Sequence, residues 1–414
     1  MTATAPRGDA ASLLFAAPDR GAVATLTRDL RRDLRRGHPW VFADAVRLPE
    51  GLTAGEVVTV RGKDGRPIGK GYADPGGPLA VRILTTESAA GGARALSDLL
   101  AARLDRALAL RQSLFGGPAA NITGYRVING EGDGLPGLVV DRYGDVLVVK
   151  PDGPIAEAFW DLEAVARALG ARTGVANIYL RTRSRGGAEG RTLLGEVPDL
   201  VSFQEGPARF SADVIHGQKT GFFLDQREHR LRIGAMARGR RVLNVFGYTG
   251  GFSVHAGLGG ALEVATVDQA GPAIAHAKQQ WRDNGLPKDR HEGIAADAFA
   301  FLESAAAAGR RWDLIVLDPP AFAPSRKQAP QALAAYKKMV AFGAAVAAPD
   351  ALVLVASCSA HVSLGELTGV IEEGVAEVKK KADVICFGGQ PPDHPYPLAC
   401  PELAYLKAVY LRLS

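Results

Sequence analysis

The feature that most constrains this chain is an alternation, from about residue 210 onward, of short β-rich runs with helical stretches. The runs are RVLNVF (241–246), LEVATVD (262–268), DLIVLD (313–318) and ALVLVAS (351–357). Parallel strands need a long crossover, usually a helix, so this spacing predicts an open α/β sheet. Two last runs, ADVICF (382–387) and AYLKAVYLRL (404–413), have no helix between them. They are therefore expected to pair antiparallel. The pattern is that of a nucleotide-cofactor fold with an antiparallel end.

The front of the chain reads differently. Residues 22–88 hold short alternating runs such as GEVVTVRGKDGRPIGKGYADP, with Lys63-Asp64-Gly65 as a turn. These predict a small β-rich module. In the stretch TRDLRRDLRRGHPWVF, Arg28, Arg31, Arg32, Arg35 and Arg36 outnumber Asp29 and Asp33. Leu96, Leu100, Leu104 and Leu108 recur every fourth residue and predict a connecting helix over 94–115, ended by the GGP at 116–118. The expected division is a tail (1–21), the β-rich module (22–90), the helix (91–118), a small α/β segment (119–208) and the cofactor-binding half (209–414). At roughly 100–200 residues per domain, a chain of 414 residues has room for that.

Composition narrows the function classes. Among the three cysteines (Cys358, Cys386, Cys400) there is no CxxC pair. A disulfide framework is excluded, thiol-based metal sites are not expected, and a reducing cytoplasm is the default compartment. Nothing resembles the ~20 apolar residues of a transmembrane helix, and the N-terminal twenty residues read as a tail. The net charge of +5 permits an acidic partner without demanding one. Its distribution says more: residues 171–191 carry five arginines and one acid, with Arg181, Arg183 and Arg185 alternating. With Arg31, Arg32, Arg35 and Arg36 they form a candidate phosphate-tracking surface, against the plainer reading of a solvated basic face.

The strongest local signal is RVLNVFGYTGGFSVHAG, where a buried strand runs into Gly247, Thr249, Gly250 and Gly251 and then a helix. Glycines there allow close approach to a ligand, and a helix N-terminus offers N–H groups to an anion; a tight βα turn would look the same. The spacing is not GxGxxG, which disfavours a pyrophosphate-bearing dinucleotide. Asp268, 22 residues after Phe246, ends the next run and suits ribose hydroxyls. Asp297 can accept from an adenine amino group or cap the helix that follows it. Asp318 precedes Pro319 and Pro320 at the end of a fourth run, where it can present a carboxylate to a flat base or simply end the strand in a turn. Ribose and adenine without pyrophosphate point to S-adenosylmethionine.

Taken together, HGQKTGFFLDQREHR (216–230), NVFGYTGGFS, VDQA, DAFAFL, LDPPAF and ASCS resemble the bacterial large-subunit rRNA methyltransferases with an N-terminal PUA domain. GHPWVF (37–42) resembles their PUA segment, and NGEGDGLPGLVVDRYGD (129–145) their central domain. The similarity spans nearly everything beyond the first 20 residues. It implies a Rossmann-like class I methyltransferase sheet with an antiparallel final strand, preceded by a small β-rich PUA-like domain and a small α/β central domain. It implies that Lys219, Thr220, Gly221, Phe222, Gln226 and Arg227 cover the cofactor. Asn244, Phe246, Tyr248, Thr249, Gly250, Asp268, Gln269, Asp297, Asp318 and Pro319 would line its site. Large-subunit rRNA is the implied partner, with no membrane and no metal; the oligomeric state stays open, a homodimer included.

The family's best-known member makes 5-methylcytosine in 23S rRNA. That chemistry needs a nucleophile at C6, because C5 of cytosine is itself too poor a nucleophile to take a methyl group. Cys358 follows the run ALVLVAS and so falls on the same sheet edge as the proposed cofactor site, with Asp318 placed for the N3/N4 edge of a flipped-out base. Cys386, in an apolar strand, and Cys400, in a proline-rich loop, read as inert. Many RNA cytosine-5 methyltransferases carry a second Cys beside the motif containing Asp318; here prolines stand there, leaving the group that removes the C5 proton unassigned. Three rivals differ in their needs: guanine-N7 methylation requires no thiol, a small-molecule methyltransferase no arginine-rich front, and a purely RNA-binding protein no intact Asp268, Asp318 and Cys358.

Overall fold

The computed structural model describes residues 13–86, 92–117, 121–182, 190–322 and 325–414. The chain divides into two compact units. The first comprises residues 1–201, 212–222 and 392–401, and the second residues 202–211, 223–391 and 402–414. Leu200–Glu205 and Ala208–Asp213 pair as a two-stranded hairpin.

The first unit contains two sheets. The six-stranded one is built from Ala22–Leu26, Trp40–Phe42, Val46–Arg47, Val57–Arg61, Pro67–Ala73 and Leu79–Thr85. Gly65, in the left-handed region at φ 73°, closes the hairpin between Val57–Arg61 and Pro67–Ala73, as the Lys-Asp-Gly turn predicts. The five-stranded sheet pairs Gly124–Asn129, Leu138–Tyr143 and Val146–Pro151 antiparallel. It then crosses over, through the helices Pro154–Phe159 and Leu162–Thr173, to a parallel strand, Asn177–Arg181. The helix expected over 94–115 runs from Ala93 to Phe115. It is more than a connector, because Leu96, Leu100 and Leu104 enter one core with Tyr72, Val127, Val140 and Val149.

The second unit is the α/β half. Its strands are β1 (Arg241–Val245), β2 (Glu263–Asp268), β3 (His291–Ala295), β4 (Trp312–Leu317), β5 (Ala347–Ser357), β6 (Ala382–Gly388) and β7 (Lys407–Leu413). They lie in the order β3-β2-β1-β4-β5-β7-β6. The first five are parallel, while β7 is antiparallel to both β5 and β6. The helices are α1 (Arg227–Met236), α2 (Gly251–Leu258), α3 (Gly271–Asp283), α4 (Ala298–Ala307), α5 (Ala329–Ala345) and α6 (Leu364–Glu377).

Alternate side chains of the central strands explain why these runs are apolar throughout rather than on one side only. Leu243, Val245, Ile315, Leu317, Val353 and Val355 pack with Tyr336, Met339 and Val340 of α5. Val242, Leu314, Val316 and Leu354 pack with Ile233 of α1, Phe252 of α2 and Trp281 of α3. A sheet covered on both faces leaves only its strand ends open, and the ligand edge of an open α/β sheet is the carboxyl end. No helix among the described residues is long and apolar enough to cross a membrane.

Candidate active site

The carboxyl edge of the second unit is shaped first by backbone. After β1 the chain takes positive φ at Phe246 (61°), Tyr248 (46°) and Gly250 (81°). Two of these carry side chains, so the loop stores strain of about 1–3 kcal/mol per residue that the surrounding packing must hold. Gly250 needs to be glycine twice over: its φ is left-handed, and a Cβ would lie 2.8 Å from that of Ala277. At Gly247 a Cβ would come within 2.5 Å of the Thr266 side chain.

The loop is pinned to the end of β2. Tyr248 N donates to Asp268 Oδ2 and Ala270 N to Asp268 Oδ1, both at 2.9 Å. Each carboxylate oxygen keeps a second lone pair, so the half-buried Asp268 is oriented by backbone and still able to accept two hydroxyls. Thr249 is buried, and its carbonyl accepts from Gln280 Nε2 at 2.8 Å. Its Oγ1 has no hydrogen-bond partner among the described residues, and neither has the buried Oε1 of Gln226. Buried polar atoms without partners are costly and mark places where a ligand supplies the missing bond. Phe223 meets the Tyr248 ring edge-on at 5.4 Å between centroids.

Beneath the loop runs a polar chain. Asn244 Nδ2 donates to Ser253 Oγ at 2.9 Å, Ser253 contacts Thr266 Oγ1 at 2.6 Å, and Thr266 contacts His291 Nε2 at 2.8 Å. Burial holds the His291 imidazole down at about 4, so it is neutral near pH 7. Asn244 is thus fully buried, with its amide nitrogen given to the scaffold under the loop.

The second half of the edge is made of side chains. Asp318, after β4, accepts from Gln226 Nε2 at 2.9 Å. Cys358 is half-buried, immediately after β5. Around it, Tyr336 donates from its hydroxyl to Ser357 Oγ at 2.8 Å and lies 3.3 Å from Ser359 Oγ. Lys407, the first residue of β7, donates from Nζ to the Ser359 carbonyl at 2.7 Å. Burial raises the Tyr336 hydroxyl, as do the neighbouring Cys358 and Asp318, while its bonds to Ser357 and Ser359 act the other way.

The other expected site residues are placed as follows. Asp297 is exposed and caps α4 through Oδ1, which accepts from Ala300 N at 2.9 Å. Gln269 is exposed, Pro319 buried, and Arg227 fully buried at the start of α1. Lys219, Thr220, Gly221 and Phe222 belong to the first unit. There Thr220 Oγ1 donates to Asp141 Oδ2 at 2.6 Å, and Phe222 N donates to the Tyr143 hydroxyl at 3.2 Å.

The arginines separate as well. Arg32, Arg35 and Arg36 are exposed, whereas Arg31 pairs with Asp64 at 2.7 Å. Arg181 corrects the strand-face reading: it is buried, with its guanidinium on the carbonyls of Val214 and Gly217, and so does not face phosphate. Arg183 and Arg185 lie outside the described residues. Lys407 and Tyr336 were missed from sequence, since neither stands in a motif and only the β5–β7 pairing and the α5 packing bring them to Cys358.

Comparison with known proteins gives the family. Residues 157–395 match the family model described as S-adenosylmethionine-dependent methyltransferase. The chain belongs to that family. Its cofactor is accordingly S-adenosylmethionine, and the loop from Phe246 to Gly250 with Asp268 fits it: a glycine-lined close approach, a carboxylate for ribose, and unpartnered Thr249 and Gln226 oxygens. Residues 24–86 match the PUA-like domain model. The methyltransferase is similar to the ribosomal RNA large subunit methyltransferase of Deinococcus radiodurans, 39% identical over 397 residues, covering 92% of this chain and 95% of the relative. It is similar also to ribosomal RNA large subunit methyltransferase I of Photobacterium profundum, at 34% identity over 92% of this chain and 97% of that one. Among solved structures, a methyltransferase complexed with SAH matches with a TM-score of 0.82 at 21% identity, covering 94% of this chain and 99% of that one. A methyltransferase from Streptococcus mutans matches with a TM-score of 0.80 and the same identity and coverage. These two establish the shared fold.

Proposed function

We propose that this methyltransferase acts on large-subunit (23S) rRNA and methylates C5 of a cytosine through a covalent bond between Cys358 and C6. The relatives' names support the rRNA substrate, and the PUA-like domain and the exposed Arg32, Arg35 and Arg36 supply a module and a charged surface suited to it. The observation that carries the base and the mechanism is the position of Cys358. It stands at the carboxyl end of β5, next but one in the sheet to β1 and its glycine loop, and adjacent to β4 with Asp318.

S-adenosylmethionine supplies an electrophilic methyl group on sulfur. The Cys358 thiolate adds to C6, and the displaced π electrons make C5 an enamine carbon able to take that methyl, with the sulfonium sulfur keeping the electron pair of the broken bond. Loss of the C5 proton to a base restores the double bond and expels the thiolate. Asp318, held by Gln226, would hydrogen-bond the N3/N4 edge of the extruded base and fix its orientation.

Cys358→Ala tests this. Methyl transfer to rRNA should fall at least ~1000-fold, a loss typical of removing a covalent nucleophile. S-adenosylmethionine affinity should stay within about twofold. Wild-type turnover in this variant would rule the covalent scheme out.

A further inference from the structure

We infer that Lys407 is a positioning residue that keeps the sulfur of Cys358 as a thiolate, and that β7 runs antiparallel to β5 in the register that delivers it. This inference rests on the reading of Cys358 as nucleophile, but its test does not.

The geometry brackets the thiol. Lys407 is the cross-strand partner of Ser357, the residue before Cys358. Its Nζ, 2.7 Å from the carbonyl of Ser359, reaches the residue after it. With its backbone paired opposite the residue before the cysteine and its Nζ fixed on the carbonyl of the residue after, the Lys407 charge is held close enough to feel Cys358. The donor role toward a carbonyl suits an ammonium, which offers three N–H groups and needs only one for Ser359.

Among the described residues, charged and titratable groups reach this corner from several elements. From α5 comes the Tyr336 hydroxyl, already donated to Ser357; from the end of β4 comes Asp318, held by Gln226. Glu366, at the start of α6, faces Lys407 and is itself paired with Ser363 and influenced by Arg326. Asp318 and Glu366 are negative and would oppose thiolate formation; Lys407 is a cation placed to offset them. Burial draws the Lys407 amine below its ordinary value, and the negative charges of Cys358 and Glu366 act against that. Such an interaction is reciprocal: whatever the thiolate does for the ammonium, the ammonium does for the thiolate. Cysteines beside a lysine are lowered well below the ~8.5 of a free thiol.

The test is the pH profile of Cys358 alkylation by iodoacetamide in the full chain without cofactor or RNA, resolved by peptide mass spectrometry so that Cys386 and Cys400 are counted apart. Lys407→Gln should raise the apparent thiol pKa by about one unit and slow alkylation near neutral pH about tenfold. Lys407→Arg, which keeps the charge, should stay within about threefold of wild type. An unchanged profile in Lys407→Gln overturns the inference, and so does an equal shift in Lys407→Arg. If Lys407→Gln fails to fold by thermal melting, the reciprocal measurement decides. In Cys358→Ser the pH at which Lys407 becomes acetylated by acetic anhydride should fall, and an unmoved value overturns the inference. A failure of the nucleophile reading would look different: Cys358→Ala would retain methyl transfer while the alkylation profiles still separated.

Discussion

The two halves of the carboxyl edge of the seven-stranded sheet solve their problems in opposite ways. Between β1 and β2 the edge is built by backbone. Positive φ at Phe246, Tyr248 and Gly250 aims the loop, and the N–H groups of Tyr248 and Ala270 orient Asp268. Around the ends of β4 and β5 it is built by side chains gathered from distant parts of the chain: Gln226 on Asp318, Tyr336 on Ser357, and Lys407 on the Ser359 carbonyl. A cofactor with fixed shape is served by a rigid turn encoded over a few residues. A thiol acting as nucleophile, as proposed for Cys358, needs charge and hydrogen bonding from several directions, which only tertiary packing provides.

If the halves are separable in this way, damage to one should leave the other working. Gly250→Val is the harsher trial of the backbone half. It forces a β-branched residue into the left-handed region, at a cost of roughly 1–2 kcal/mol, and places it against Ala277. S-adenosylmethionine affinity measured by calorimetry should fall about tenfold or more, while Cys358 alkylation keeps its wild-type pH profile. A profile shifted together with affinity would mean the halves are one unit.

A smaller effect concerns acid. The His291 imidazole under the cofactor loop is held at about 4 by burial, against 6.5 for the free side chain. Its folded value is depressed, so the unfolded chain binds more protons between these limits. The stability tied to the neutral ring is therefore fully present above about pH 6.5 and is lost as pH falls toward 4. By pH 5 the loss should be about 1–2 kcal/mol, read as a lower denaturation midpoint. His229, also held at about 4 by burial and bonded to Tyr410 and the Gly389 carbonyl, contributes with the same sign. His291→Gln should remove part of the slope; an unchanged slope would show that His291 does not titrate with folding.

What was legible in the sequence follows the same divide. The strand alternation, the antiparallel end and the glycine turn are local patterns, and the observed β3-β2-β1-β4-β5-β7-β6 sheet matches the expected architecture. The ends of β2, β4 and β5 could be found from runs of apolar residues, so Asp268, Asp318 and Cys358 were readable as strand-end residues. Asp297 shows the limit of local reading, because a helix cap and an adenine acceptor have the same sequence signature. Arg181 shows another: alternation marks a strand face but not whether that face meets solvent or, as here, the carbonyls of Val214 and Gly217. Lys407 was out of reach because it lies 49 residues beyond Cys358, joined to it only by the pairing of β5 with β7.

The most direct measurement is nucleoside mass spectrometry of 23S rRNA after incubation with the full chain and methyl-labelled S-adenosylmethionine, offered both as deproteinised rRNA and as large-subunit particles. Label in 5-methylcytosine, absent with Cys358→Ala, is the expected result. Label in 7-methylguanine or any other nucleoside, or 5-methylcytosine formed without Cys358, would contradict it.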